Sequence, residues 1–221
     1  MLSRIKSILR QRKYRLFIRP YELNIVGIRS KNSISNRFDD ELHIFYKTTA
    51  GIWNYHIYKA TTDPGTYWLN NPASPQGTAV LAQGQYADAY KIDLHQGKYL
   101  ALCQRLKPVT IIRDYDRNDF ADFMNGTKVS GMFGINIHRA NSVGRTKNID
   151  KYSSGCQVFE NENDFEEFMQ FCDRHQKLYK NVFTYTLLDF RAVRRENIRR
   201  IIIGTFTLGL GLIGYYNYEQ K

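Results

Sequence analysis

From Tyr21 to Val158, apolar and polar residues alternate in short runs closed by turn-forming residues. The runs are YELNIVGIRS (21–30), ELHIFYK (41–47), IWNYHIYKA (52–60), TAVLA (78–82), AYKIDL (89–94), YLALCQ (99–104), VTIIRD (109–114) and FGINIHRA (133–140). A period near two predicts strands, because successive side chains of an extended chain point to opposite faces. Between the runs lie TTDPGTYW, NNPASPQG and DYDRND, which place Pro, Gly, Asp or Asn where turns need them. NVFTYTLLDF (181–190) reads as a last strand, and no fixed-period repeat is visible. Many short strands at this spacing predict a mainly β domain, a mostly antiparallel sandwich or a barrel-like sheet.

Three segments break the pattern. In NENDFEEFMQFCDRHQKLY, Phe165, Phe168, Met169 and Cys172 recur at i, i+3, i+4 and i+7, which predicts one helix packed on the sheet. Asn161 or Asn163 can cap it, and Glu166 and Glu167 suit its first turn. At the start of the chain, Leu2, Ile5, Ile8 and Leu9 sit at helical spacing among basic residues. Such a basic amphipathic helix can lie on an anionic membrane or an acidic partner, or dock its few apolar residues on the domain. It lacks the apolar core and cleavage site of a secretory signal. At the other end, RAVRRENIRR precedes an apolar run from Ile201 to Tyr216. As a helix, that run rises about 24 Å against a hydrocarbon core of roughly 30 Å, a marginal span. Its glycines suit close packing in lipid, and burial in a protein assembly is the other reading. The expected organisation is a basic segment (1–19), one domain (20–190), and a basic linker with an apolar helix (191–221).

Charge follows the same division. The formal net charge is +11, and residues 1–19 with 191–200 account for all of it. The body is net neutral, so no specific nucleic-acid surface is expected there. If the apolar run spans a membrane, the adjacent arginines keep the body on the cytoplasmic side. The three cysteines, Cys103, Cys156 and Cys172, are too scattered for a disulfide framework. Cys103 lies in an apolar strand and Cys172 on the helix stripe, so both are expected to be buried. His43, His56 and His95 sit apart on predicted strands, and no CxxC or HxxxH pairing suggests a metal. DYDRNDFAD lacks the glycine and glutamate of a calcium loop and reads as a solvated turn. No cofactor is expected.

The chemistry concentrates in GINIHRANSVGRTKNIDKYSSGCQVF, residues 134–159. Gly134, Asn136 and His138 alternate with Phe133, Ile135 and Ile137, so the imidazole should stand opposite the apolar side chains at a strand end, open to solvent or ligand. Cys156 follows Gly155, where the backbone can turn sharply and aim a peptide N–H at a reacting carbonyl. A thiol beside an imidazole can ionise near neutral pH, because His⁺ stabilises thiolate, and the thiolate is an acyl-transfer nucleophile. A buried structural cysteine with an unrelated histidine is the competing reading. Trp68 and Tyr67, beside Pro64-Gly65, either pave a substrate groove or pack in the core.

This stretch resembles the catalytic signature of the L,D-transpeptidases (YkuD-type domains): a histidine, 14 to 17 residues, Ser or Thr, usually His, then Gly-Cys. Here His138 is followed by 14 residues and then Ser153, Ser154, Gly155 and Cys156. A looser likeness over roughly 45–190, including GMFGINIHRA, is to L,D-transpeptidase-like proteins of bacteriophages and their hosts. The resemblance implies an L,D-transpeptidase-like β-sandwich or barrel, Cys156 as nucleophile and His138 as its base, with Ser153 and Gly155 shaping the thiol loop. It implies peptidoglycan stem peptides as substrates, with Asn136, Arg139, Ser154 and Trp68 on the substrate side. Ser154 stands where the family usually has histidine, Gln157-Val158 replaces an apolar residue with Arg or Asn, and Arg139 replaces a common glycine. The expected function is cysteine-dependent acyl transfer or hydrolysis on stem peptides, as a bacteriophage product. The alternative is a catalytically inactive structural or anchoring protein, in a phage particle or at a membrane, that contacts neighbouring subunits or lipid through its termini.

Overall fold

The computed structural model describes residues 1–31, 35–123 and 126–199. Its strands are β1 (Asn24–Arg29), β2 (Asp40–Lys47), β3 (Trp53–Thr61), β4 (Thr78–Leu81), β5 (Gly84–His95), β6 (Tyr99–Gln104), β7 (Val109–Asp114), β8 (Lys128–Gly131), β9 (Ile137–Arg139), β10 (Gln157–Phe159) and β11 (Phe183–Asp189). The helices are α1 (Leu2–Gln11), α2 (Thr66–Asn70) and α3 (Glu162–Tyr179), with a further helical segment over 190–199. The protein is therefore mainly β, as the alternation predicts.

Eight strands close into a barrel in the order β1-β11-β5-β6-β9-β10-β3-β2, and β4-β7-β8 form a separate three-stranded sheet. Most pairs are antiparallel, but β1/β11 and β9/β10 run parallel. Closure leaves this sheet no open edge. Every residue of β1 is buried. Leu23 and Ile25 belong to the barrel core, while Val26 and Ile28 face a second cluster outside it. Gly27 is required at the crossing between them: a β-carbon there would collide with the Tyr185 hydroxyl.

The second cluster decides what the N-terminal helix does. Ile5, Ile8 and Leu9 of α1 are buried against Val26, Ile28, Phe45, Leu188, Ala192 and Val193. Each aliphatic side chain withdrawn this way contributes about 1.5–3 kcal/mol relative to exposure. The apolar stripe thus docks on the domain, and Gln11 Nε2 donates to Glu196 Oε2 at 2.6 Å, tying α1 to the helix over 190–199. The apolar run 201–216 lies outside the described residues. Among those described, no helix is long and apolar enough to cross a membrane.

α3 forms where the period-3.6 stripe predicts. The Asn161 side chain caps it, accepting from Asn163 N at 3.1 Å, and Phe165, Phe168 and Cys172 are buried in the core. β8 went unpredicted because KVSG carries one apolar residue. The eight-residue run 133–140 yields only the three-residue β9. Gly134 takes φ +68° and interrupts the extended chain before it.

One buried ionic network closes the far part of the barrel. Arg29 Nε lies 2.8 Å from Asp63 Oδ1, and its Nη2 donates to the Thr62 carbonyl at 2.9 Å. Asp40 Oδ2 accepts from Thr62 N and Thr62 Oγ1 at 2.6 and 2.7 Å, and its Oδ1 accepts from Ser30 N at 2.7 Å. Burial raises the pKa of both carboxyls, and the neighbouring Asp40 pushes Asp63 further, to about 8.

Candidate functional site

β9 and β10 bring the two halves of the motif together. Their parallel register sets Gln157 against Ile137 and Val158 against His138, so Cys156 falls beside Asn136, just ahead of both strands. Asn136 N donates to Cys156 Sγ at 3.4 Å, and the thiol donates to the Gly134 carbonyl at 3.6 Å. The turn that presents Cys156 is built from serine and glycine. Ser153, fully buried, donates its hydroxyl to the Cys156 carbonyl at 2.8 Å and accepts from Gly155 N at 3.2 Å. Its own carbonyl accepts from Gly65 N at 2.9 Å. Gly155 takes φ +124°, and a β-carbon there would strike the Ala79 carbonyl, so only glycine serves. The Gly155 N–H already bonds to Ser153 Oγ and is not open to an oxyanion.

His138 is fixed by its neighbour. Nδ1 lies 2.8 Å from the Arg139 carbonyl, which can only accept, so Nδ1 carries the proton and Nε2 the lone pair. The ring stacks on His95 with centroids 4.1 Å apart. His95 is oriented in turn. Gln104 N donates to Asn136 Oδ1 at 3.0 Å, which turns the Asn136 amide N–H₂ toward His95 Nδ1, also at 3.0 Å. The side chains of His95, Asn136 and His138 thus form one buried cluster, with the Tyr99 hydroxyl 3.2 Å from the Arg139 carbonyl, while the buried Cys156 side chain packs with Phe38, Ala140, Ile149 and Val158.

Burial corrects two expectations. The imidazole of His138 does not meet solvent: the residue is 4% exposed, beneath His95 and Tyr99. The thiol and imidazole are not an ion pair at rest either. Desolvation pushes the Cys156 thiol up to about 11, and desolvation with the neighbouring His95 pulls His138 down to about 3. Both are neutral at pH 7, and the sulfur's hydrogen bonds run to backbone rather than to the ring.

The remaining predicted residues divide. Arg139 holds its guanidinium 4.6 Å over the Tyr99 ring and 3.7 Å from Glu162. With Tyr99, it lines a groove of about 1260 Å³ that runs along α3 past Phe165 and Met169. Ser154 is exposed beside the thiol turn. Trp68 is half-buried, and its indole N–H donates to the Lys151 carbonyl at 3.0 Å, so it braces the loop before Cys156. Cys103 and Cys172 are buried. His95 was placed apart from the others by sequence; folding stacks it on His138. No spacing announced it, because β5 reaches the site only through β6, which pairs with both β5 and β9. Gln104 and Gln157 were also missed. Gln104 Oε1 accepts from Phe133 N and Ile135 N at 3.1 Å each, and Gln157 accepts from the Tyr185 hydroxyl at 2.8 Å. Together they fix the backbone on both sides of the thiol. No family model matches the chain, and no curated protein or solved structure matches it either.

Proposed function

We propose that this protein is a cysteine-dependent acyltransferase or hydrolase of peptidoglycan stem peptides, with an L,D-transpeptidase-like fold, Cys156 as nucleophile and His138 as general base. The observation that carries this reading is the paired anchoring of the two groups. A peptide N–H holds the sulfur, while a peptide carbonyl holds Nδ1 of the imidazole and leaves the lone pair on Nε2. The resemblance of the motif to the L,D-transpeptidase signature implies the substrate class.

In a dry site, charge separation is disfavoured before substrate arrives, so proton transfer accompanies attack. The S–H bond breaks, its proton passes to His138 Nε2, and sulfur bonds to the carbonyl carbon of the scissile amide. The Cys156 N–H donates to the resulting oxyanion. The C–N bond then breaks, the proton leaves with the amine, and a second amine or water opens the thioester. The thiol must first turn away from the Gly134 carbonyl. The groove lined by Arg139, next in the chain to His138, and by Tyr99 offers an opening through which a peptide could approach.

The test is digestion of purified muropeptides, with products read by mass. Wild-type protein should shorten stems or create cross-links; Cys156→Ala should be silent, and His138→Gln should lose on the order of 10²–10⁴-fold. Unchanged muropeptides with the wild type, or undiminished turnover by Cys156→Ala, would reject the assignment.

A second reading rests on a different observation: Cys156 is only 8% exposed, with its hydrogen bonds satisfied by backbone. Under it the fold is an inactive structural or anchoring module of a phage particle or membrane assembly. It expects Cys156→Ala to retain the biological role while deletion of 195–221 abolishes it.

A further inference from the structure

A second site lies away from the thiol, where the two basic ends of the chain converge on the barrel. Arg12 follows α1, Arg29 ends β1, Lys128 begins β8, and Arg191 and Arg195 lie on the helix over 190–199. All five line one cavity of about 260 Å³, closed on its apolar side by Phe123 and Ile112. Asp189 is the sole acid among its lining residues, and its Oδ1 is engaged, accepting from Ala192 N at 2.9 Å.

Three of the five cations have no neutralising carboxylate among the described residues. Arg12 reaches only an uncharged partner, donating from Nη1 to Gln83 Oε1 at 3.2 Å. Among the described residues, Arg12, Lys128 and Arg195 form no ion pair with a carboxylate. Arg29 forms the floor. It is 3% exposed, Asp63 and Thr62 hold its Nε and Nη2, and the Phe123 ring lies 4.5 Å from its Cζ. That clamp leaves Nη1 without a described partner. A guanidinium fixed on one edge by a buried carboxyl is pre-organised to offer its other donors.

Holding several like charges around one small concavity is unfavourable in the partly dry setting of a pocket unless an anion joins them. The volume falls below that of sites for drug-sized ligands, so it suits one phosphate-sized group rather than a nucleotide.

We propose that this cavity binds a phosphate group, with Arg29 as the fixed floor donor and Arg12, Lys128 and Arg195 as the flanking cations. Two sources share that chemistry: free phosphate, and the headgroup of an anionic phospholipid. The apolar run beginning at Ile201, shortly after Arg195, makes the second worth separating from the first.

The experiment uses the full chain and a Lys128→Ala/Arg195→Ala variant, both positions exposed and outside the core. A Lys59→Ala/Lys147→Ala variant removes the same charge from exposed sites elsewhere. Calorimetric titration with inorganic phosphate should give saturable binding, weakened at least about tenfold in the pocket variant and unchanged in the control. Co-sedimentation with phosphatidylglycerol vesicles, against phosphatidylcholine alone, forms the second arm. Loss restricted to the phosphate arm identifies a free ligand, and parallel loss in both arms identifies a lipid headgroup. Equal binding by wild type and pocket variant in both arms, or equal loss in pocket and control variants, overturns the site. So does wild-type protein that takes up neither probe.

Discussion

Two buried polar clusters sit in the same barrel and solve desolvation in opposite ways. Around Arg29 a permanent cation is enclosed with Asp40 and Asp63, so one charge always stays inside, and its pull on the two carboxyls opposes the rise that burial imposes on them. Around Cys156 no fixed charge is enclosed, and both titratable groups become neutral: the thiol rises to about 11 and the imidazole falls to about 3. Burial alone therefore does not set protonation. A guanidinium keeps its charge and draws neighbouring carboxyls toward ionisation, whereas histidine and cysteine can shed theirs. The ionic cluster is suited to fixing backbone and presenting a cation; the neutral one is suited to releasing a proton only when a reaction calls for it.

The largest expected effect follows from breaking the ionic cluster. Arg29→Met leaves the Asp40 carboxylate, which holds the Thr62 and Ser30 amides, without its cation. Urea unfolding should register a loss of about 3–5 kcal/mol. Cys156→Ala, which removes a neutral group, should cost about 1 kcal/mol. If Arg29→Met costs no more than Cys156→Ala, the two clusters do not differ in the way described.

The second effect is a pair of opposed pH dependences. His138 has a folded pKa near 3 against an ordinary 6.5, so the unfolded chain takes up a proton that the fold refuses. Its contribution to stability is complete above pH 6.5 and is lost as pH falls toward 3, with His95 and His175, also lowered by burial, acting in the same sense. Asp63 has a folded pKa near 8 against 3.8, so its contribution is complete below 3.8 and is lost as pH rises toward 8. Each single group gives a slope of at most about 1.4 kcal/mol per pH unit. Between pH 4 and 6.5 the Asp63 slope therefore offsets only part of the rise from the histidines, and from 6.5 to 8, where the histidine contributions are complete, stability should decline. Asp63→Asn should remove the upper decline, and His138→Gln should soften the loss below pH 6.5. Unfolding curves at a series of pH values measure both, and an Asp63→Asn variant that declines like wild type above 6.5 contradicts the assignment.

The two clusters also differ in how far sequence exposes them. Period-two alternation located most of the barrel strands, and the Phe165–Cys172 stripe located α3, because each element buries one consistent face. The alternation of β9 also put His138 and Asn136 on one face, and GlyCys marked the thiol turn. The pattern does not carry barrel closure. The stacking of His95 on His138 depends on β5 and β9 both pairing with β6, and the Arg29 network joins residues from β1, β2 and the end of β3. Exposure at a strand end was misjudged for the same reason. Alternation says which side chains share a face, while the cover over that face, here His95 and Tyr99, comes from distant sequence.

The smallest effect isolates what His95 adds to the neutral cluster. His95→Phe keeps an aromatic ring against His138 but removes the Nδ1 acceptor of the Asn136 amide and a titratable neighbour. Losing that hydrogen bond should cost about 1 kcal/mol of stability, and turnover of stem peptides should fall no more than about tenfold. Desolvation, the larger cause of the depressed His138 pKa, persists in the variant, while the smaller cause, repulsion by His95, is gone. The His138 pKa should therefore rise yet stay below 6.5, with the proton still on Nδ1 because the Arg139 carbonyl holds it there. Imidazole nitrogen shifts followed through a pH titration distinguish this from simple filling of space. A positioning role for His95 requires the pKa to move upward with the tautomer unchanged. An unmoved pKa would reduce His95 to a packing residue and leave Asn136, Gln104 and Ser153 to hold the backbone beside the thiol.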